Sequence, residues 1–317
     1  MKSKSNVRGS PSAVLKAIDE FGRTKKYLMN VGEDKGRIVT NLIHEAKPEI
    51  MLELGGYCGY STILFADAQR AAGGKRYYSL ERSPKFAKVI ETLVEIAGLS
   101  DFVEMVVGPS NEGIRVLHVA GRVKKIDMMF LDHYKPAYTT DLKLCESVGL
   151  IQKGTILAAD NVIKPGNPPY LEYVRSSVEE KRKRVAENQG KKDTESFSDR
   201  AAKQYGDVEE LSVEVRGNPE IVYESRLVNS FEPTGVPVSF LLFQILDHAN
   251  WEFRMELKSR DALKCRLKKQ RYVLHGSSLI ELIQLWFHFY ITNAPDAPNR
   301  PPLRPYRGVS WFSSDIG

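Results

Sequence analysis

Short apolar runs alternate with segments of helical periodicity from about residue 12 to residue 178. The apolar runs predict strands near 49–54, 76–80, 103–107, 126–131 and 154–159. The segments between them predict helices near 12–28, 34–46, 60–72, 84–97, 110–121 and 138–148. Because strands and helices alternate, the pattern predicts an α/β fold of Rossmann type, with a doubly wound, mostly parallel sheet and helices on both faces.

The chain changes character after this region. Residues from about 179 to 217 carry many charges and few large apolar side chains, so we expect a mobile charged insertion there. It is predicted to begin with a helix that continues past Val178 and to end in a loop. An arm that binds nucleic acid is the sharper alternative, although a solvated charge run is the commoner outcome.

A second change comes near Val238. The apolar stretch from Val238 to Leu246 can form a last strand. We expect residues 238–317 to be an atypical and disordered extension that arises from a translated intron or a frame shift, and an appended module that binds a partner is the alternative. The predicted organisation is therefore a flexible N-terminus over 1–11, a catalytic domain over 12–237 and the extension over 238–317.

Composition changes this picture only a little. The formal net charge of +6 arises from local clusters and does not require a basic functional patch. Cys58, Cys145 and Cys265 are far apart and form no CxxC pair, so we expect a reducing compartment and a cytoplasmic location. The N-terminus lacks an apolar secretory region, and the stretch from Leu279 to Ile291 is shorter than a membrane span, so no membrane partner is expected.

The most informative chemistry lies at two strand ends. Asp132 closes the run 126–131, and Asp160 with Asn161 closes the run 155–159. Both positions fall at the edge where open α/β sheets bind ligands. These oxygen ligands suit Mg²⁺, and Lys135 follows shortly after Asp132, so the sequence predicts a magnesium ion that holds an oxygen nucleophile. Helix-capping acids and a surface lysine are the plainer alternatives.

A glycine-rich turn follows the first predicted strand, in Leu52-Glu53-Leu54-Gly55-Gly56-Tyr57-Cys58-Gly59. Leu54 stands where a dinucleotide fingerprint needs its first glycine, which weakens that interpretation. An acid at the strand end with two spaced glycines fits a ligand that carries an amine and no pyrophosphate. Glu81 ends the next strand and can accept both ribose hydroxyls, because Ser83-Pro84 is the predicted helix start. A turn that binds no ligand is the alternative.

Taken together, these stretches resemble the catechol O-methyltransferase family over roughly residues 12–178 and 219–235. Five motifs match in order, at 29–32 with Lys35-Gly36, 52–61, 106–110, 130–135 and 159–166. The resemblance implies a seven-stranded sheet, S-adenosylmethionine as methyl donor, Mg²⁺, and a small catechol or diphenol as substrate. A monomer without a nucleic-acid partner is expected.

The resemblance also implies roles for individual residues. The Mg²⁺ ligands fall on Asp132, Asp160 and Asn161, and the general base falls on Lys135. The catechol would contact these four residues and also Glu224, Tyr27, Tyr134 and Pro165. The S-adenosylmethionine site would be formed by Met29, Val31, Glu53, Gly55, Tyr57, Ser61, Glu81, Ser110, Asn111, Asp132 and His133.

Departures from the family leave other interpretations open. Tyrosine stands at 27 and 134, where the mammalian enzymes have tryptophan, so a larger phenolic substrate is an alternative. A catalytically weak protein that binds S-adenosylmethionine, or RNA through the basic insertion, is the alternative from another class. For single residues, an exposed strand glutamate is the alternative at Glu224 and a core tyrosine is the alternative at Tyr27.

Overall fold

The structure is a computed structural model that describes residues 8–187, 215–231 and 237–245. Its helices are α1 Pro11–Thr24, α2 Gly32–Ala46, α3 Tyr60–Ala71, α4 Pro84–Ala97, α5 Ser110–Val119, α6 Ala137–Ser147, α7 Pro168–Arg175 and α8 Val178–Glu187. Its strands are β1 Ile50–Leu54, β2 Arg76–Glu81, β3 Val103–Val107, β4 Ile126–Leu131, β5 Ile151–Ala159, β6 Tyr223–Phe231 and β7 Pro237–Ile245. A π-helical turn, Val162–Gly166, separates β5 from α7.

The strands lie in the order β3-β2-β1-β4-β5-β7-β6. Strands β1 to β5 are parallel to one another, whereas β7 is antiparallel to both β5 and β6. The chain winds outward from β1 in both directions, so β1 and β4 flank the switch point where open α/β sheets bind ligands at their carboxyl ends. The prediction of a mostly parallel α/β sheet of Rossmann type is confirmed.

Helices cover both faces of the sheet because alternate strand residues point to opposite sides. Met51 of β1 packs in a core with apolar residues of α1 to α4, while its neighbour Leu52 packs in a second core with residues of α5, α6 and α7. The predicted strands were continuous apolar runs, and this two-sided burial is the reason. Among the described residues, no helix combines the length and the apolar character that a membrane span requires.

Three predicted boundaries need correction. Residues 8–10 are not a free terminus, because the Gly9 N–H donates to Ile96 O at 2.8 Å and the Ser10 side chain caps α1. Helix α1 ends at Thr24 rather than near residue 28. The sheet continues past residue 237, because β7 pairs with β5 and β6 as far as Ile245, so the α/β domain includes this strand.

Of the other predictions about the segments after residue 178, one is confirmed and the rest fall on residues outside the described part of the chain. The helix expected past Val178 is present as α8. Most of the predicted charged insertion, at 188–214, lies outside the described residues, and so do Cys265, the stretch from Leu279 to Ile291 and the rest of the predicted extension beyond Ile245.

Candidate active site

Two carboxylates meet at the carboxyl edge of the sheet. Leu131 of β4 pairs with Ala159 of β5, and Asp132 and Asp160 are the next residues of these two strands. The Asp160 N–H donates to Leu131 O at 2.9 Å, which keeps the two strand ends in register. The structure thus brings together two of the residues that the sequence predicted at this edge.

Asp160 is buried and paired with a cation. Its Oδ2 accepts from Lys35 Nζ at 2.6 Å, and its Oδ1 accepts from the Asn161 N–H at 2.9 Å. Asp160 and Lys35 are each only 1% exposed, so each charge depends on the other for compensation. Lys35 was not predicted as a site residue, although its place on the apolar face of α2 that includes Ile38 and Leu42 was a usable signal.

Asp132 is less deeply buried and has its own cation. Its Oδ1 accepts from Lys135 Nζ at 3.1 Å. Burial raises the pKa of Asp132 to about 6, the Lys135 ammonium opposes that rise, and the Asp160 carboxylate adds to it. Lys135 Nζ also donates to Tyr138 Oη at 2.7 Å, and Tyr138 Oη donates to Leu131 O at 2.7 Å. The lysine is therefore buried and held in one place.

Asn161 completes the predicted ligand set. It adopts a left-handed backbone conformation, with φ of +56°, at the point where β5 gives way to the π-helical turn. Two carboxylates and one carboxamide are hard oxygen donors of the kind that Mg²⁺ prefers. In the described part of the chain, no three His, Cys, Asp or Glu side chains lie together as a possible metal site. A set of three protein ligands at this edge would therefore need the side-chain amide of Asn161.

A cavity of about 530 Å³ opens beside this edge. Its walls include eight residues that the sequence assigned to cofactor or substrate, namely Gly55, Tyr57, Glu81, Ser110, Asn111, Asp132, His133 and Tyr134. They also include residues that were not singled out, namely Leu80, Arg82, Phe86, Gly108, Pro109, Glu112, Ala137, Thr140, Asp141, Leu144 and Val215. Asp132 and Tyr134 belong both to the cavity and to the edge, so the two sites are continuous.

Gly55 is required for a reason that differs from the predicted one. Its φ is +93°, and an added Cβ would lie 2.6 Å from Asp132 O. The glycine therefore allows the ends of β1 and β4 to approach each other. The sequence pattern associated the spaced glycines with a bound ligand, but the close approach of the two strand ends explains this glycine without a ligand.

Glu81 lies in the cavity wall, as expected. Its Oε2 accepts from the Tyr57 N–H at 2.9 Å and its Oε1 from the Ser83 N–H at 2.8 Å. Burial raises the pKa of Glu81, and these backbone hydrogen bonds oppose the rise. Ser83 caps α4 as predicted. Glu81 is also hydrogen-bonded within the protein, because it links the turn after β1 to the start of α4. The backbone of Gly56 and Arg82 also hydrogen-bonds to this carboxylate, so both turns hold Glu81 in the cavity wall.

A polar cluster forms another part of the wall. Asp141 Oδ2 accepts from Ser110 Oγ at 2.5 Å and lies 2.9 Å from His133 Nε2. His133 stacks on Tyr138 with 4.8 Å between ring centroids, and its Nδ1 is buried without a protein partner. If Nε2 carries the proton, Nδ1 is an acceptor that remains available to a ligand. Asp141 was missed because it lies within a helix rather than at a strand end.

Two predicted cofactor residues lie beneath the cavity. Glu53 is completely buried and accepts from the hydroxyls of Ser61, Thr62 and Ser79 at 2.5, 2.5 and 2.6 Å. Burial raises the pKa of Glu53 to about 7, although these three hydroxyls lower it. Glu53 and Ser61 are not among the described residues that line the cavity, so they support the turn after β1 from below.

The residues predicted between α1 and α2 are divided. Met29 and Tyr27 are 54% and 48% exposed, whereas Val31 is buried at the start of α2. The alternative that Tyr27 is a core residue is therefore wrong. Tyr134 lines the cavity, and the side chain of Pro165 lies outside the described part of the structure.

Glu224 does not reach the carboxyl edge. Through β7, Leu227 of β6 is level with Ala159, so Glu224 lies three residues before that level, or ~10 Å along the strand. Its side chain is exposed, as the plainer alternative expected. The part of β6 near the site is its end, where Ser230 Oγ donates to Asp34 Oδ2 at 2.8 Å. The next carboxylate in the sequence, Glu232, lies outside the described residues.

The fold and the cavity together define a methyltransferase domain, and residues 52–162 match the family described as "Methyltransferase domain". The chain is 45% identical to catechol O-methyltransferase B of Danio rerio over 54% of its own length and 64% of that protein. It is 43% identical to catechol O-methyltransferase of Sus scrofa over 48% of its length and 80% of that protein. This chain belongs to the catechol O-methyltransferase family.

The chain matches only part of the length of these relatives. The match spans 64% and 62% of the relatives from Danio rerio and Bos taurus, which is less than two thirds of their lengths. Solved structures share the fold at low identity. The O-methyltransferase TomG from Streptomyces achromogenes in complex with SAM is 21% identical, with a TM-score of 0.50 over 78% of this chain and 92% of that one. An O-methyltransferase from Bacillus cereus in complex with SAH is 19% identical, with the same TM-score and coverage of 78% and 93%.

Proposed function

We propose that this chain transfers the methyl group of S-adenosylmethionine to one hydroxyl of a catechol that binds at the carboxyl edge with Mg²⁺. The observation that carries the proposal is the pair of carboxylates, Asp132 and Asp160, that follow paired residues of β4 and β5 beside the cavity. Membership of the catechol O-methyltransferase family supports the same reaction.

Asp132, Asp160 and Asn161 are the residues that we propose as ligands of Mg²⁺. The two acids repel each other in a largely buried place, since Asp160 helps to raise the pKa of Asp132, and a divalent cation would relieve that repulsion. When bound, Mg²⁺ would orient two neighbouring hydroxyls and favour the ionisation of one of them. Lys35 and the Asn161 N–H hold the Asp160 carboxylate in position throughout.

Lys135 is the proposed general base. Its Nζ is held by Asp132 and Tyr138, beside the place where the cavity meets the edge. An ammonium cannot accept a proton, so the base must act in its neutral form. Asp132 is also a proposed ligand of Mg²⁺, so a substrate hydroxyl oriented by the ion would lie beside Lys135 Nζ. Lys135 can then take the proton of the hydroxyl that is methylated.

The transfer is a displacement at carbon. The hydroxyl oxygen forms a bond to the sulfonium methyl carbon, the carbon–sulfur bond breaks, and its electron pair stays on sulfur as the thioether of S-adenosylhomocysteine. The protein's contribution is to hold oxygen and carbon in line, which can supply ~7–11 kcal/mol of the barrier. Asp132 and Tyr134 line the cavity, so donor and acceptor are expected to meet there.

The cofactor site is proposed along the cavity. Gly55 and Asp132 lie where the methionine amine is expected, Glu81 can accept the ribose hydroxyls, and Ser110, Asn111 and His133 can frame the base. Met29, Val31, Glu53 and Ser61 are proposed to act only indirectly, because they are not among the described residues that line the cavity.

A larger phenolic substrate is the second candidate. Tyr27 is half exposed, so the described residues enclose the catechol ring less tightly than predicted. Glu224 lies away from the carboxyl edge, so the acceptor that was predicted for the second catechol hydroxyl is not at that edge. We further propose a monomer in a reducing, cytoplasmic compartment, in keeping with Cys58 and Cys145, which are buried free thiols.

Methylation of a matched pair of acceptors tests the proposal. The full chain is incubated with S-adenosylmethionine, Mg²⁺ and either catechol or phenol, and methylated product is counted. Catechol is expected to be methylated and phenol to react at least ~100-fold more slowly, because one hydroxyl cannot chelate. Equal rates for the two acceptors, or no product from catechol, would contradict the proposal.

A further inference from the structure

Val215 brings a distant part of the sequence into the cavity wall. It is the first described residue after the charged segment at 188–214, yet it is only 7% exposed and lines the cavity. It lies there with four residues of α6, namely Ala137, Thr140, Asp141 and Leu144. Their spacing of three and four residues makes them one face of the helix. Val215 therefore extends an existing wall of α6.

This wall has the chemistry of a site for a planar base. Val215 and Leu144 are apolar and belong to the same core cluster. Beside them, Asp141 joins Ser110 of α5 and His133, so a polar edge borders the apolar surface. A purine presents flat apolar faces and a polar rim, and such ligands are held by apolar contacts with a few directed hydrogen bonds.

Val215 is held in place by the end of α6. The Asn218 N–H donates to Glu146 Oε2 at 2.8 Å, and the Gly217 N–H donates to Ser147 Oγ at 3.1 Å. Gly217 has a φ of +71°, and an added Cβ would lie 2.6 Å from Glu146 Oε2, so the segment passes very close to the carboxylate. These contacts fix Gly217 and Asn218, which follow two and three residues after the valine.

We infer that Val215 is a cofactor-binding residue that packs against the adenine of S-adenosylmethionine, so that the segment after the charged region helps to retain the cofactor. The inference rests on the proposed function, because it places the nucleoside of the methyl donor in this cavity. It gives the segment a role in affinity and none in the transfer step, since Val215 lies with α6 in the cavity wall, whereas other residues form the carboxyl edge and hold Lys135.

The test is the affinity of the full chain for S-adenosylhomocysteine, measured by titration calorimetry. Val215→Ala is expected to weaken binding about tenfold, because it removes an apolar contact from the base. Val215→Ile keeps that contact and should bind within about threefold of the unaltered chain. Val116→Ala is the matched control, because Val116 is 55% exposed on α5, and its affinity should not change.

A second readout separates binding from general damage. In the methylation assay, Val215→Ala should raise KM for S-adenosylmethionine and leave kcat within about twofold, because the reacting atoms are untouched. Equal affinity of Val215→Ala and the unaltered chain, or a fall in kcat with KM unchanged, would overturn the inference. Failure of the unaltered chain to bind S-adenosylhomocysteine is a separate result, which would contradict the proposed function itself.

Discussion

Two groups of buried acids in this protein have different partners. At the carboxyl edge, Asp160 and Asp132 are paired with the ammonium groups of Lys35 and Lys135. At the end of α6, Glu146 instead accepts from the hydroxyls of Tyr173 and Tyr223 and from the Asn218 N–H.

The partners separate a site with cationic partners from a site with neutral donors. The ammonium groups at the first site offset the two carboxylates that we propose for Mg²⁺, whereas the hydroxyl and backbone donors at Glu146 tie segments of the fold together. Near Glu146 the cation is arranged differently, because Lys181 lies over the rings of Tyr173 and Tyr223 at 4.7 and 4.8 Å and donates to Ile221 O. We therefore assign chemistry to the first group and structure to the second.

The largest effect is expected at Asp160. Asp160→Asn removes a proposed metal ligand and the carboxylate charge that faces Lys35 Nζ, so catechol methylation should fall by at least ~100-fold. Asp67→Asn makes the same chemical change in an exposed ion pair with Arg70 and should leave the rate unchanged. Initial rates at saturating S-adenosylmethionine measure both. A rate for Asp160→Asn close to that of the control would show that the edge has no catalytic role.

Glu53 resembles Glu146 in accepting from neutral donors, here the hydroxyls of Ser61, Thr62 and Ser79, and it gives a pH dependence. Its pKa is raised from 4.5 to about 7. Between these values the unfolded chain loses the proton while the folded chain keeps it, so the free energy of unfolding falls as pH rises. The slope disappears below 4.5 and above about 7, where both states have the same charge. The total loss is on the order of 3 kcal/mol.

Glu53→Gln should remove this part of the pH dependence. Urea unfolding between pH 4.5 and 8 compares it with the unaltered chain and with Glu91→Gln, which changes an exposed acid on α4. The unaltered chain and the Glu91 variant should lose stability in parallel across that range. A Glu53 variant with the same slope as these two would show that the carboxyl is not protonated in the folded state.

A smaller loss of stability is expected at Glu146. Glu146→Gln leaves one oxygen to accept from three donors, so the free energy of unfolding should fall by about 1–3 kcal/mol. The control Glu220→Gln changes an exposed acid that is paired with Arg182 and should have no measurable effect. Thermal unfolding measures both variants. If Glu146→Gln is as stable as the control, the structural role of this group is wrong.

The smallest effect is expected at Glu224. The register of β6 places this residue ~10 Å from the carboxyl edge, so Glu224→Gln should change KM and kcat for catechol by less than about twofold. A rise in KM of tenfold or more would restore the role that the sequence suggested.

The sequence predicts the fold better than it predicts the contacts of single residues. Strands β1 to β4 were continuous apolar runs, and the structure reproduces them within a residue or two because both faces are covered. Asp132 and Asp160 were predictable because they end such runs. Glu224 was not, since its position depends on pairing across β7, and register cannot be read from one strand alone.

Other contacts depend on packing between distant segments. Lys35 reaches Asp160 from α2, and Val215 reaches the cavity from a segment that follows a run of charges. The periodicity of α2 places Lys35 on an apolar face, but local sequence indicates neither its contact with Asp160 nor the place of Val215 in the cavity wall. Glu53 was predicted to be part of the cofactor site near the end of β1, but its carboxylate accepts from three hydroxyls beneath the turn.

The central claim is that the carboxyl edge works with a divalent cation to methylate a catechol. The most direct measurement is the initial rate of catechol methylation by chelator-treated full chain as Mg²⁺ is added back. We predict negligible product without Mg²⁺ and a rate that rises to a plateau in the unaltered chain, but not in Asp160→Asn. A rate that is the same with and without Mg²⁺ would contradict the account.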